Sequence, residues 1–417
     1  MKKLVATAAV AAVLGSAAFA DVSVGAWGRA VWIGAANQVH TNEDGTTDGN
    51  DIVMANTQGW RGAGPRNGIS FHGNHDDNIG FDFDIHCNNT TIKNGDVAQV
   101  WWSPIHEFKL YLGKVDNNWL RGDACYGLWD MYRIGALKAG NNGGKEEEGW
   151  TFMGQGATGA VLQGLFLDDH LKAFASLGFD STDGSTWDNG TGTEGTKIDY
   201  VLGRQSNYAL AYDIDGVGTI KAGLQEGWDR VTVKDGDSTK EKDQNIINVA
   251  FDLTAVENLY VGIGAFIPMV QKVYNEDVSD DVGVGNRVNA YARFGATDQL
   301  TIHARVGTVI GSAYEKKDSY EKDGGFGFLV GAGVDYALME SLTLFGQVDY
   351  ADGIYWNASK KDDTDVLDFG IGVKKDYGDG CSIAVAFEGA TNNNGVFKLE
   401  KADDFAWCVP IVITYSF

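Results

Sequence analysis

Basic residues, proline, cysteine and long apolar runs are all scarce in this chain of 417 residues. Lys and Arg total 33 against 57 Asp and Glu, a formal net charge of -24, so nucleic acid is excluded as a partner: the chain repels phosphate instead of neutralising it. Past the first twenty residues no stretch approaches 18 consecutive apolar residues, which excludes membrane-spanning helices. No G-x-S-x-G, H-E-x-x-H or P-loop occurs, nor a dinucleotide fingerprint set between a strand and a helix. The 7 histidines are too scattered to nominate a nucleophile and its base, and the chain is read as a non-enzyme with no cofactor.

Glycine (56) and aromatic residues (12 Trp, 16 Tyr, 20 Phe) are abundant, as long twisted strands flanked by aromatic girdles require. Residues 1–20 read as a secretory signal: Lys2 and Lys3, an apolar run from Leu4 to Leu14, then Ala18, Phe19 and Ala20 as the cleavage site. The mature domain is then 21–417, with 31 basic against 57 acidic residues and a net charge of -26.

Within it apolar residues recur at every second position, the period of a half-buried strand. In the last segment Phe405, Trp407, Val409, Ile411, Ile413, Tyr415 and Phe417 share one face; Leu367, Phe369, Ile371 and Val373 do so in another. Connections alternate between tight turns, near 254–257, 297–299, 338–341 and 377–380, and polar stretches near 267–285, 310–325, 351–364 and 390–404. Short turns on one side and long loops on the other predict an all-β, antiparallel up-and-down barrel crossing a membrane, with short periplasmic turns and long external loops. Strands are expected near 22–34, 66–72, 78–86, 97–102, 108–115, 158–167, 170–179, 198–213, 218–227, 245–253, 257–266, 286–295, 299–309, 326–336, 341–350, 365–374, 380–389 and 405–417. That is about 18 strands, with 16 the alternative, and wide enough for water.

A leader, hairpins along the whole mature chain and a terminal Ile413-Thr414-Tyr415-Ser416-Phe417 resemble the bacterial porins and major outer-membrane proteins. The resemblance implies a location in the outer membrane, among its lipids, and passive passage of small hydrophilic solutes. It also implies a homotrimer, and Tyr415 and Phe417 as the signal read by the barrel-assembly machinery. It implies further that the third external loop, 116–157, folds inward. That loop holds Asp116, Arg121, Asp123, Asp130, Arg133, Lys138, Lys145, Glu146, Glu147 and Glu148, set against a basic wall patch of Arg293, His303 and Arg305.

The inward phase also contains Asp82, Asp84, Lys109, Lys221, Asp252, Asp335, Asp349, Lys374 and Glu388, charges of both signs that suit a water-filled lumen; excess acid favours cations. Trp101, Trp102, Tyr111, Trp119, Trp129 and Tyr132 read as an interfacial girdle, with Trp119 and Trp129 the exceptions, or else as a path on which sugars stack. Cys87 and Cys125 either pair as a disulfide or are free, like Cys381 and Cys408. His72, His75, Asp76 and Asp77 read as turn polarity and not a metal site. Calcium has two weak candidate segments, Asp235-Gly236-Asp237 and the group Glu276, Asp277, Asp280 and Asp281, where loop solvation is the better account. The function expected is a general diffusion porin with mild cation preference; a substrate-specific, sugar-type channel and a surface adhesin or structural protein are the rivals.

Overall fold

The computed structural model describes residues 21–41, 47–55, 66–88, 91–115, 119–121, 151–153, 157–178, 206–275, 280–312, 315–316, 319–320, 325–352, 366–391 and 405–417. The expected signal peptide lies outside them. Every regular element among the described residues is a strand. In chain order these are β1 (Asp21–Thr41), β2 (Thr47–Ala55), β3 (Arg66–Asp76), β4 (Ile79–Asn88), β5 (Thr91–Ile105), β6 (Phe108–Val115), β7 (Ala157–Phe166), β8 (Leu171–Gly178), β9 (Ser206–Ile214), β10 (Gly218–Asp235), β11 (Ser238–Leu253) and β12 (Leu259–Pro268). They continue as β13 (Lys272–Asn275), β14 (Asp280–Gly283), β15 (Asn286–Gly295), β16 (Leu300–Ser312), β17 (Glu315–Lys316), β18 (Ser319–Tyr320), β19 (Gly325–Met339), β20 (Leu342–Asp352), β21 (Val366–Gly378), β22 (Cys381–Thr391) and β23 (Phe405–Ser416).

Eighteen of these close on themselves: β1, β3 to β12, β15, β16 and β19 to β23, each antiparallel to the next, with β23 pairing back onto β1. They coincide with the eighteen expected segments, so the larger strand count holds. The closing seam runs from Trp27 opposite Ser416 to Ala36 opposite Cys408. β1 serves two neighbours in succession along its length, β3 through Asp21–Arg29 and β23 through Trp27–Ala36, which is the stagger a tilted barrel needs. Pro410, with no N–H to donate, sits in the middle of β23 opposite Ile33, where β1 shifts register between Ile33 and Ala35.

Alternation sends one side chain in and the next out. In β12 Gly262, Gly264, Phe266 and Pro268 are buried while Ile263 and Ile267 are exposed. Across the barrel the exposed set is apolar: Val249, Ile263, Val306, Val330, Val348 and Ile371 among others. Exposed aromatics stand at its edges, with Phe166, Tyr212, Phe294, Tyr336 and Tyr377 close to the short turns. An apolar belt bounded by aromatics is the lipid-facing surface of a membrane barrel.

Pairing also extends past the expected strands. β2 folds back on the far end of β1 (Ile33 opposite Ala55), and β10 and β11 continue beyond the barrel as a hairpin to Asp235 opposite Ser238. The segments 267–285 and 310–325, expected as irregular loops, contain the small hairpins β13–β14 and β17–β18. Their polar sequences gave no period-two apolar signal, because neither face of such a hairpin meets lipid.

Val306 lies at the centre of the 13-residue β16 and points outward. Val306→Arg is expected to destabilise the folded barrel by about 2–4 kcal/mol, the cost of a charge near the bilayer midplane, read from folding equilibria into lipid vesicles.

Candidate functional site

The inner wall is the candidate site, and the third external loop, between β6 and β7, enters it. Both described pieces of that loop are held inside. Leu120, Phe152 and Met153 are buried with Val115, Val161, Phe174, Ala209, Ala211, Ile246, Ala250 and Phe266, inward residues of β6 to β12, and Tyr111 and Trp119 pack against the same cluster. The backbone is fixed as well: Met153 N donates to Asn248 Oδ1 at 2.7 Å, and Asn248 Nδ2 donates to the Ala265 carbonyl at 2.9 Å. Beneath the loop the wall is bare. A Cβ on Gly264 would collide with the Thr151 carbonyl, one on Gly223 with the Met153 side chain, and one on Gly262 would come within 3.2 Å of Thr151 Cγ2. Burying Phe152 and Met153 contributes about 1.5–3 kcal/mol each to holding the loop.

Of the loop residues singled out by sequence, Arg121 is described and is half-buried beside Leu120. Asp116, Asp123, Asp130, Arg133, Lys138, Lys145, Glu146, Glu147 and Glu148 lie outside the described residues, as do Trp129, Tyr132 and Cys125.

The three basic wall residues do meet. Arg293 is directly opposite His303 across β15 and β16, and Tyr291 opposite Arg305. They are not a bare basic patch. His303 Nε2 is 2.6 Å from Asp335 Oδ2, Arg305 Nε donates to Asp349 Oδ1 at 2.5 Å, and Gln347 Nε2 donates to the other oxygen of Asp349 at 2.6 Å. On its second nitrogen His303 is 2.8 Å from the Tyr291 hydroxyl, and Arg293 lies 5.8 Å from the Tyr260 ring centre. Pairing of opposite charges is the habit of this wall: Lys221 with Asp252, Lys172 with Asp213 at 2.6 Å, Lys374 with Asp376 at 3.0 Å, and His72 with Asp82 at 2.8 Å. Apart from Lys374 and Asp376, which share β21, these partners sit on different strands, and only the register set by the barrel pairs them.

Glu388 points inward and is fully buried, opposite Cys408, whose thiol lies 3.9 Å from its carboxylate. The aromatic cluster also divides. Trp102 is exposed on the outer face, whereas Trp101 and Tyr111 face the lumen, with Lys109 Nζ 4.2 Å from the Trp101 ring centre and 4.9 Å from that of Tyr111. A girdle role is therefore wrong for Trp101 and Tyr111. Alternation alone carries the signal: Trp101 shares the parity of Gln99, which donates to the inward Asp82 at 2.8 Å.

Cys87 and Cys381 are free thiols, and no disulfide involves Cys408 among the described residues. Asp235 caps its own hairpin, its carboxylate bound to Lys240 at 2.8 Å and its carbonyl accepting from the Ser238 hydroxyl. Asp280 and Asp281 belong to β14, and Glu276 and Asp277 lie outside the described residues. Among the described residues no group of three His, Cys, Asp or Glu is arranged to hold a metal. At the closing seam the Tyr415 hydroxyl donates to Asn67 at 3.1 Å, and Phe417 exchanges both backbone hydrogen bonds with Ala26.

Closure, the lipid-facing belt and a polar inner wall define the chain as an outer-membrane β-barrel with the fold of the porins. The outer membrane channel DcaP of Acinetobacter baumannii shares this fold at 14% identity, with a TM-score of 0.51 over 96% of this chain and 98% of that one. The anion-selective porin of Comamonas acidovorans aligns with 95% of this chain and 100% of its own at 12% identity and a TM-score of 0.46. No family model matches the chain, and no curated protein matches it. The likeness is one of fold.

Gly264→Val pushes a side chain into the Thr151 backbone and is expected to dislodge the third loop without opening the wall. Single-channel recording should then give a larger conductance than the parent; an unchanged conductance would mean that the docked segment does not limit the bore.

Proposed function

We propose that the chain is a general diffusion porin, passing small hydrophilic solutes through a water-filled lumen with a mild preference for cations and working as a homotrimer. The observation that carries this reading is the docked third loop. An 18-stranded barrel is wide enough for water, and the two described ends of that loop, at Leu120 and at Phe152 and Met153, are held against the inner wall, which supports a bore narrowed so that passage is screened by size. The carboxylates of Asp116, Asp123, Asp130, Glu146, Glu147 and Glu148 then stand on that loop, with Arg121 and Arg133 among them. Because the described wall charges largely pair off, cation preference would come from the acidic loops and mouth, in line with 57 acidic against 33 basic residues. The trimer, and the reading of Tyr415 and Phe417 by the assembly machinery, follow from the porin resemblance alone.

A substrate-specific channel is the second reading, favoured by the lumen-facing Trp101 and Tyr111, whose rings are flat enough to stack against a sugar.

Planar-bilayer recording separates these readings. The diffusion porin gives ohmic current and a reversal potential of cationic sign in a salt gradient. Saturable block by a sugar would replace it with the specific channel, and electrical silence of the inserted protein would leave a surface adhesin or structural role.

A further inference from the structure

We propose that Lys109, Gln163, Trp101 and Tyr111 form a solute-binding station on the inner wall, selective for small monocarboxylates with an aromatic body. The inference rests on the water-filled channel of the reading above and names a class of solute that the channel holds as it passes.

Lys109 is an exception on a wall where cations meet acids. Its ammonium lies 4.2 Å from the centre of the Trp101 ring and 4.9 Å from that of Tyr111, and among the described residues no carboxylate stands within ion-pair distance of it. Asp82 acts on it only through space, since its Oδ1 is held by His72 and its Oδ2 by Gln99, each at 2.8 Å. Directly across from Lys109 on β7 is Gln163, whose Oε1 accepts from the Tyr111 hydroxyl at 3.4 Å. Its amide nitrogen, with two hydrogens to donate, meets no acceptor among the described residues.

Two donors beside two rings define the ligand. A carboxylate offers Lys109 the charge-assisted acceptor that the rings lack, and its second oxygen can accept from the Gln163 amide. The rest of the solute then meets Trp101 and Tyr111, against which an aromatic body stacks or packs edge to face. A neutral solute of the same shape would leave the ammonium unmatched. All four side chains are half-buried, and so reachable from the lumen. Tyr111 packs against the cluster that holds the third loop, and Lys109 is the next inward residue of β6, about 7 Å along the strand. The station therefore stands beside the docked loop.

The test adds benzoate at pH 7.5 to the full-length protein in planar bilayers, with benzamide as the neutral isostere and acetate as the carboxylate without a ring. Equilibrium dialysis of benzoate against the detergent-folded protein supplies a readout independent of current. Benzoate should block the current saturably, at a concentration about tenfold below that needed for benzamide or acetate. Lys109→Gln should raise the half-blocking concentration of benzoate about tenfold, the factor that a lost charge-assisted hydrogen bond gives. Trp101→Leu should weaken block by benzoate and leave that by acetate unchanged. A conducting Lys109→Gln channel blocked by benzoate like the parent overturns the inference. Should that variant fail to fold, equal block of the parent by benzoate and benzamide overturns it instead, as does saturable block by glucose alone, which assigns the rings to sugars. A parent that passes no current yet binds benzoate through Lys109 in dialysis supports the station and overturns the channel reading.

Discussion

Every backbone N–H and C=O that enters the hydrocarbon layer must find its partner within the protein, because no water is there to replace it and each unpaired group costs several kcal/mol. The seam between β1 and β23 answers that demand: Phe417 and Ala26 exchange both of their backbone hydrogen bonds, and the ladder continues to Ala36 and Cys408. Without it two edges nearly a strand long would lie open to lipid. The bulge at Ile33 to Ala35 belongs to the same account, since it accommodates Pro410 on the one strand pair that cannot be left unpaired.

Closure gives the inner face its character. Side chains that would be solvated on an open sheet confront one another around a shared lumen. Lys221, Lys172 and His303 each meet an acid on a neighbouring strand, Arg305 meets Asp349 two strands away across Gly331 of β19, and a wall so paired exerts a weak field of its own. The third loop adds the geometric element. Its described end, Thr151 to Met153, rests where Gly223, Gly262 and Gly264 leave the wall without side chains, and Asn248 ties the Met153 backbone down.

The barrel was largely legible from the order of residues. Lipid on one side and water on the other impose a period of two that needs only neighbouring residues to be seen, as in Phe369, Ile371 and Val373 alternating with Gly370, Gly372 and Lys374. The same reading failed where that contrast is missing. The hairpins β13–β14 and β17–β18 carry no apolar stripe, and the inward place of Trp101 and Tyr111 is visible only in their parity with Gln99 and Lys109, not in their aromatic character.

By itself the sequence determined the class of barrel, the antiparallel run of its crossings and the alternation of inward and outward faces, since all three follow from local period and connection length, while the choice of 18 over 16 strands came from closure. Tertiary structure alone decided which charges neutralise one another, that Glu388 is buried, and where the described ends of the third loop dock. The reason is distance along the chain: Arg305 and Asp349 are 44 residues apart and Met153 and Asn248 are 95 apart. Such partners become neighbours only when closure fixes the register between strands.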